Sequence, residues 1–270
     1  MDGRALHEWR GAAVETWRAR WGVPELHILA TVGSTNDVAR ALALSGAPEG
    51  TTVLADEQTR GRGRRGRTWH AEAGRSLILS MVTRPRCQGA ESVLSLRLGL
   101  ATARAIEAVM ALAVGIKWPN DLIIDGRKVG GMLCEGVVEA GRTAFVVAGT
   151  GVNVREPAGD WPAELAGRAT SLAERAGSAP DVDALAGRVI GEWLAALGGT
   201  PDRLSSAELE AFGRRDVLRG RVVTVEGDAS GTVVGLDPDG ALRVVRDGIT
   251  GRIVAGTVRP LETTEEGERS

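Results

Sequence analysis

The chain has 270 residues and a formal net charge of −2, from 33 basic and 35 acidic side chains. That length suits one large domain, or one large and one small domain, around a substantial core. A nucleic-acid-binding domain usually carries an excess of positive charge over a whole face, so this charge balance disfavours that class. Cys87 and Cys134 are too few for a disulfide framework, and neither a signal peptide nor a run of eighteen apolar residues is present. We therefore expect a reduced, cytoplasmic protein of enzyme size that enters no membrane.

The first predicted element is a helix over residues 4–21. Trp9, Ala13, Trp17 and Trp21 recur every four residues there, with arginine and glutamate between them. This spacing is typical of an amphipathic helix that packs on a core. Nothing before residue 25 is long enough for a three-helix DNA-reading domain.

A strand over residues 27–32 is followed by a polar turn, Gly33-Ser34-Thr35-Asn36-Asp37, and a helix over about 36–45. Ser34 or Thr35 can be the N-cap of that helix. Hydroxyls and free backbone N–H groups at a helix N-terminus also suit a polar or anionic ligand, although capping alone explains these residues equally well.

The most unusual stretch of the chain is residues 56–69, which contain the sequence Gly-Arg-Gly-Arg-Arg-Gly-Arg over 61–67. It is too polar and too rich in glycine for a helix interior or a central strand, and apolar β-type runs flank it at 51–55 and 77–82. Glycine lets backbone N–H groups approach an anion, and the arginine fork matches phosphate or carboxylate oxygens. A loop that binds an anion competes here with a nucleic-acid patch, a nuclear-import signal and a solvated face.

Lysine is nearly missing from the chain. Only Lys117 and Lys128 occur among the basic residues, eleven positions apart. In a sequence that otherwise uses arginine, these two positions indicate a need for a compact ammonium on a flexible stem.

The remaining elements predict an α+β fold. A long buried helix over 91–112 precedes β-segments at 115–118, 122–124, 127–138 and 143–154, joined by the Asp125-Gly126 and Ala140-Gly141 turns. Successive short connections favour an antiparallel or mixed sheet over a doubly wound parallel one. Helices at about 181–197 and 206–212 follow, and short strands separated by Gly-Asp-rich turns from 217 onwards predict a small β-barrel of SH3-like size.

Five stretches, in this order and followed by a small barrel, closely resemble the biotin protein ligases. They are Gly33-Ser34-Thr35-Asn36, Gln58 with the loop 61–67, Lys117-Trp118-Pro119-Asn120-Asp121, residues 127–131 and residues 149–153. The resemblance covers roughly 26–261 and is closest to the short monofunctional type, without a DNA-binding domain. It implies a class II synthetase-like catalytic domain with a mixed or antiparallel sheet over 26–214. The segment 1–25 would belong to that domain, an SH3-like barrel would occupy 217–261, and 262–270 would be a disordered tail.

The resemblance also implies a reaction and the residues that carry it. Biotin and ATP would give biotinyl-5′-adenylate and pyrophosphate, and the acyl group would then pass to a lysine of a biotin carboxyl carrier domain of a carboxylase. Lys128, Arg64 and Asp121 would be catalytic. The residues expected to bind biotin are Ser34, Thr35, Asn36, Gln58, Gly61, Arg62, Arg64, Lys128 and Gly131. Those expected to bind ATP are Arg62, Arg64, Arg67, Trp69, Lys117, Asn120, Lys128 and Asn153.

Three expectations complete this interpretation. Mg²⁺ is expected from the ATP chemistry, but no run of carboxylates marks its ligands, and neither DNA nor a membrane is an expected partner. A lipoate or octanoate ligase of the same fold is the alternative, and it would need an elongated apolar slot instead of paired hydrogen-bonding groups. The sequence departs from the family pattern at Thr59, Arg60 and Gly130, and Thr257 stands where an acidic residue often follows the last glycine of the barrel.

Overall fold

The structure of the protein is a computed structural model that describes residues 3–85, 87, 89–200, 202–226 and 229–261. The tail at 262–270, predicted to be disordered, lies outside the described residues. Six α-helices occur within these ranges: α1 (Val14–Trp21), α2 (Thr35–Leu44), α3 (Ala90–Val109), α4 (Leu172–Ala176), α5 (Val182–Leu197) and α6 (Ser206–Gly213). None of them is long and apolar enough to cross a membrane.

The main sheet has eight strands in the order β1-β4-β5-β6-β10-β9-β8-β7. Their bounds are β1 Gly3–Ala5, β4 Leu26–Val32, β5 Thr52–Gln58, β6 Ser76–Thr83, β7 Gly115–Lys117, β8 Asp121–Ile124, β9 Arg127–Glu139 and β10 Arg142–Asn153. Only β4 and β5 run parallel, and all other neighbours are antiparallel. This topology confirms the predicted mixed sheet.

Two tight turns set the register of the long strands that carry most of the candidate residues. Asp125 and Gly126 between β8 and β9 have φ of 46° and 75°, and Ala140 and Gly141 between β9 and β10 have φ of 48° and 76°. Positive φ at both central positions matches the right-handed twist of the flanking strands, so the strands can continue straight out of the turn. The predicted hairpins are therefore confirmed.

Apolar side chains on both faces of the sheet fix the helices. On one face, Ile28 and Leu54 belong to a cluster with residues of α3 and α5, among them Trp193, which is fully buried. On the other face, Leu29 and Val53 pack with the apolar side of α2. Because neighbouring residues of a strand point to opposite faces, this alternation places α2 across the sheet from α3 and α5. Because α2 follows β4 directly in the chain, the N-terminus of α2 lies at the end of β4.

The N-terminal prediction was wrong in part, because the helix begins only at Val14. Ahead of it, β1 pairs with β4, and β2 (Glu8–Trp9) forms a small hairpin with β3 (Ala12–Ala13). Arg10 and Gly11 have φ of 50° and 77°, a hairpin turn that a helix cannot contain. Trp9 still meets Trp17 and Trp21, with ring centroids 5.8 and 6.0 Å apart, but it does so across the hairpin and not along one helix.

The C-terminal part is a second, antiparallel sheet of five strands in the order β14-β13-β12-β11-β15, as predicted for the small SH3-like domain. The strands are β11 Val222–Val225, β12 Ala229–Leu236, β13 Leu242–Arg246, β14 Ile249–Ile253 and β15 Val258–Pro260. Val223 and Leu242 join the same apolar cluster as α3, and the Trp118 indole N–H donates to the Gly240 carbonyl oxygen at 2.9 Å. The small sheet is therefore packed firmly on the main body, while the predicted domain boundaries at 25, 214 and 217 stay predictions.

Candidate active site

A cavity of about 970 Å³ lies where the main sheet meets the small C-terminal sheet. Its walls come from the N-terminus of α2, the arginine-rich loop, the β7–β8 connection, β9, β10 and the end of the small sheet. All but one of the predicted site residues line it: Ser34, Thr35, Asn36, Gln58, Arg62, Arg64, Arg67, Trp69, Lys117, Asn120, Asp121, Lys128, Gly131 and Asn153. The exception is Gly61, a buried residue at the base of the loop, where an added Cβ would lie 2.4 Å from the Trp69 carbonyl oxygen.

Lys128 and Asp121 form an ion pair in the wall of this cavity. The Lys128 Nζ lies 2.5 Å from Asp121 Oδ1 and 5.6 Å from the centroid of the Trp69 ring. The backbone of Lys128 is held between β8 and the segment at 168–170, because its N–H donates to Arg168 and its carbonyl oxygen accepts from Thr170. A fixed backbone with a flexible stem lets the ammonium swing from the carboxylate to a ligand anion.

Lys117 stands at the side of the cavity nearest the small sheet. Burial lowers the pKa of its ammonium, Asp121 partly offsets that effect, and the positive charges of Arg168, Lys128 and Arg259 lower the pKa further. A lysine among other cations, with little water around it, is a position at which an incoming polyanion restores the charge balance. The two lysines singled out by composition therefore serve the same cavity.

A hydrogen-bonded polar floor lies at the N-terminus of α2. Gln58 Oε1 accepts from the backbone N–H of Thr35 at 2.8 Å, and the buried Ser80 hydroxyl lies 2.7 Å from Thr35 Oγ1 and 2.6 Å from Asn36 Oδ1. Ser34 is the N-cap residue by position, but its side chain makes no capping bond. The hydroxyl of Ser34 is therefore not committed to the helix.

Gly149 allows this floor to form. A Cβ added to it would lie 2.2 Å from Asn36 Oδ1, which no real contact permits. The Asn36 Nδ2 in turn donates to Glu135 Oε2 at 2.6 Å and to the Leu133 carbonyl oxygen at 3.3 Å. Hydrogen bonds and the close approach of Gly149 therefore fix the Asn36 side chain at the base of the cavity.

The arginines of the loop divide into two groups. Arg62 pairs with Asp37 at 2.7 Å and with Glu135 at 3.1 Å. Arg65, in a left-handed conformation with φ of 59°, pairs with Glu226 of the small sheet and donates to Thr257 Oγ1. These two arginines fasten the loop to the body on one side and to the small sheet on the other.

Arg64 and Arg67 form the second group, since neither makes a salt bridge with any residue that the structure describes. Both line the cavity, and burial together with the neighbouring charges of Arg65 and Arg67 lowers the pKa of Arg64, although it stays far above neutral. With Arg62 and Arg65 engaged, Arg64 and Arg67 are the loop cations that can take a ligand anion.

Trp69 closes the loop against the sheet. A Cβ on Gly151 would lie 2.4 Å from its ring, so the indole lies flat against the glycine backbone. The indole N–H is buried and has no hydrogen-bond partner in the described part of the chain, and the same holds for Trp161, which also lines the cavity. A buried donor without a partner is costly, so both indoles suit a ligand that supplies an acceptor.

The two asparagines predicted to bind ATP have structural partners. Asn120 Nδ2 donates to the Met132 carbonyl oxygen at 2.7 Å, and Asn153 Nδ2 donates to the Thr170 carbonyl oxygen at 3.0 Å. In each case Oδ1 is the atom left to meet a ligand. Within the described residues, no group of three or more His, Cys, Asp or Glu side chains is placed to hold a metal ion.

Sequence reasoning missed three polar residues of the site: Ser80, Glu135 and Glu226. Ser80 and Glu135 each interrupt an apolar strand, in Leu-Ile-Leu-Ser-Met-Val over 77–82 and Met-Leu-Cys-Glu-Gly-Val over 132–137. A polar residue inside such a run was the available signal. The sequence around Glu226 carried no comparable signal. The Glu226 carboxylate pairs with Arg65 and so supplies the negative charge that position 257, a threonine, does not.

Comparison with known proteins identifies the family of this chain. Residues 29–153 match the model of the biotin/lipoate A/B protein ligase family. The biotin–[acetyl-CoA-carboxylase] ligase of Mycobacterium tuberculosis is 34% identical over 269 residues, which cover 96% of this chain and 95% of that protein. The chain belongs to the biotin protein ligase family. It is thereby a member of a family of ligases.

Other relatives of this biotin protein ligase family member are longer or known in atomic detail. The bifunctional ligase/repressors BirA of Bacillus spizizenii and Bacillus subtilis are each 35% identical to this chain. The matched region covers 78% of this chain and 66% of the length of each BirA protein. The Aquifex aeolicus biotin protein ligase in complex with biotin and ATP has a TM-score of 0.74 and 27% identity, covering 88% of this chain and 99% of that one. The Leishmania major ligase in complex with biotinyl-5-AMP has a TM-score of 0.57 and 28% identity, covering 86% and 99%.

Proposed function

We propose that the protein activates biotin with MgATP as biotinyl-5′-adenylate and then transfers the biotinyl group to a lysine of a carrier domain. The observation that carries the proposal is that the Lys128–Asp121 pair shares one cavity with the polar floor around Thr35 and with the loop arginines Arg64 and Arg67. With the ureido ring of biotin at the floor and ATP beneath the loop, the biotin carboxylate and the ATP α-phosphate would meet at Lys128.

The first step joins two anions. A carboxylate oxygen forms a bond to the α-phosphorus while the bond to pyrophosphate breaks, and pyrophosphate leaves with the electron pair. Lys128, Arg64 and Arg67 would lower the repulsion between the reacting groups and stabilise the charge that develops on the phosphate oxygens. Arg62 is already paired with two carboxylates, so it would hold the loop in place and would contact biotin and ATP less than the family resemblance implies.

In the second step, a neutral lysine amine of the carrier attacks the acyl carbon and AMP leaves. Asp121 lines the cavity beside Lys128 and would orient the amine or accept its proton once Lys128 has turned to the phosphate. Oxygen atoms of Asp121 and Asn120 line the same cavity and suit a Mg²⁺ ion that arrives with the nucleotide. The carrier domain of a carboxylase is the proposed acceptor.

Biotin is favoured over lipoate by the chemistry of the floor. Thr35 and Gln58 line the cavity and offer hydrogen-bonding groups, with Ser80 behind them, and a ureido ring can pair with these groups whereas an alkyl chain cannot. Biotin-dependent exchange of labelled pyrophosphate into ATP tests the activation step directly. Exchange that requires biotin supports the proposal, and exchange that requires lipoate instead would move the protein to the sister activity.

Adding a methyl group at Gly149 is expected to weaken biotin binding by tenfold or more, because the new Cβ would displace Asn36 from the floor. Isothermal titration of Gly149→Ala with biotin measures this effect. Gly191→Ala in α5 is the matched control, since its added Cβ meets nothing within 4 Å and should leave binding unchanged. It should also stabilise the helix by about 0.5–1 kcal/mol. Normal biotin affinity in Gly149→Ala would show that Asn36 does not organise the pocket.

The lowered pKa of Lys117 predicts a pH effect on ATP use. Below its pKa the Lys117 ammonium is charged and attracts phosphate. As pH rises through that pKa the charge is lost, and because the pKa is lowered this happens at a lower pH than for a lysine in water. We expect kcat/KM for ATP to fall at alkaline pH in the wild type. In Lys117→Arg the guanidinium stays charged, so the fall should shift to higher pH or disappear. The same profile in both proteins would remove Lys117 from phosphate binding.

A further inference from the structure

Glu135 connects two parts of the site that are far apart in sequence. It lies on β9 opposite Val147, and its carboxylate accepts from Asn36 Nδ2 at 2.6 Å and from Arg62 Nη2 at 3.1 Å. Asn36 is a buried residue of the polar floor, whereas Arg62 is an exposed residue of the arginine loop. One carboxylate therefore touches both the base of the cavity and its cover.

The contact with Asn36 fixes which way the amide points. A carboxylate can only accept hydrogen bonds, so the Asn36 NH₂ group must face Glu135 and the Oδ1 must face Ser80. The second amide hydrogen is directed at the Leu133 carbonyl oxygen, and the lack of a side chain at Gly149 leaves Oδ1 its space. The amide has no other arrangement that satisfies its atoms.

The orientation of Asn36 then determines the hydroxyl protons above it. Because Oδ1 accepts only, the single proton of Ser80 must go to Asn36, at 2.6 Å. Ser80 Oγ is then an acceptor for Thr35, 2.7 Å away, and the Thr35 proton is used within the protein, on Ser80 or on Gln58 Oε1 at 3.1 Å. Thr35 lines the cavity, and with its proton used in this way Oγ1 keeps acceptor capacity for a ligand.

We propose that Glu135 is a positioning residue that sets the direction of the chain Thr35, Ser80, Asn36, so that the Thr35 hydroxyl accepts from a ligand N–H, and that it holds Arg62 of the loop through the same carboxylate. The inference rests on the proposed function and deepens it, since it assigns the selection of a ureido N–H donor to a residue that does not contact the ligand. An acid without N–H groups gains nothing from this arrangement.

Glu135→Gln tests the proposal with almost no change in volume. The glutamine amide can donate to Asn36 and so permits the reversed chain, in which the Ser80 proton occupies one lone pair of Thr35 Oγ1 and Thr35 is a poorer acceptor for the ligand. We expect biotin affinity, measured by isothermal titration, to fall at least tenfold while the KM for ATP stays within twofold. Asp37→Asn is the matched control, because it also removes a carboxylate from Arg62 but the Asp37 carboxylate makes no hydrogen bond to the Asn36 amide in the described part of the chain. It should lower biotin affinity less than threefold.

Ser80→Ala interrupts the same chain without touching Arg62, so it remains informative if Glu135→Gln folds poorly. We expect it to lower biotin affinity at least tenfold, with normal ATP binding and an unchanged pattern of tryptic cleavage in the arginine loop. Normal biotin affinity in Ser80→Ala or in Glu135→Gln overturns the proposal, and so does an equal loss in Glu135→Gln and Asp37→Asn. A wild-type protein that binds lipoate and not biotin overturns the proposed function instead.

Discussion

Replacing Lys128 with alanine is expected to slow formation of the adenylate by roughly 10²–10³-fold, the usual effect of removing one preorganised group that stabilises transition-state charge. The Lys128 ammonium lies 2.5 Å from Asp121, in the cavity that the polar floor and the loop arginines Arg64 and Arg67 also line. Without the Lys128 ammonium, the biotin carboxylate and the ATP α-phosphate would meet beside the negative charge of Asp121, with no cation to balance it. Single-turnover quenched-flow assays with biotin and ATP measure the rate.

Two further variants separate charge from packing. Lys128→Arg keeps the positive charge but exchanges the flexible stem for a planar fork, so it should recover only part of the rate. Asp121→Asn removes the partner that holds the ammonium and should slow transfer to the carrier more than adenylation. A Lys128→Ala protein that forms adenylate at the wild-type rate would contradict the role given to this residue.

Replacing Arg64 with alanine is expected to speed release of the bound adenylate by about 10–100-fold, which corresponds to losing one hydrogen bond to a charged group. Arg64 lines the cavity without a carboxylate partner in the described ranges, whereas Arg62 and Arg65 are engaged by acidic residues. Release of biotinyl-adenylate can be followed by filtration and by the labelling of unrelated lysines with biotin.

Arg142→Ala is the control for this experiment, since it removes an exposed arginine at the far hairpin of the same sheet. Its rate of adenylate release should equal that of the wild type. Unchanged release in Arg64→Ala would mean that the loop does not retain the intermediate through this residue. Release that rises equally in both variants would point to a general effect of charge.

The features that could be predicted from sequence are those that neighbouring residues determine. Asp125-Gly126 defines a hairpin by itself, and the glycines and arginines of 61–67 exclude helix and strand whatever surrounds them. The same local logic failed at residues 4–13. There the four-residue spacing of tryptophans suggested a helix, but Gly11 permitted a turn and the rings meet through tertiary packing.

The features that could not be predicted are pairings between distant residues. Asn36 and Glu135 are 99 positions apart, and Arg65 and Thr257 are 192 positions apart. Such contacts depend on strand register and on the docking of the small sheet, which periodicity does not encode. The sequence therefore predicted which residues share the cavity, but not that Arg62 and Arg65 pair with acidic residues while Arg64 and Arg67 line the cavity without a salt bridge to any described residue.

Mass spectrometry of the small molecules retained by the purified protein tests the central claim most directly. The protein would be mixed with ATP, Mg²⁺ and either biotin or lipoate, freed of unbound ligand, and denatured to release what it holds. The account predicts biotinyl-5′-adenylate from biotin and no adenylate from lipoate. Lipoyl-adenylate, or no adenylate from either acid, would contradict it.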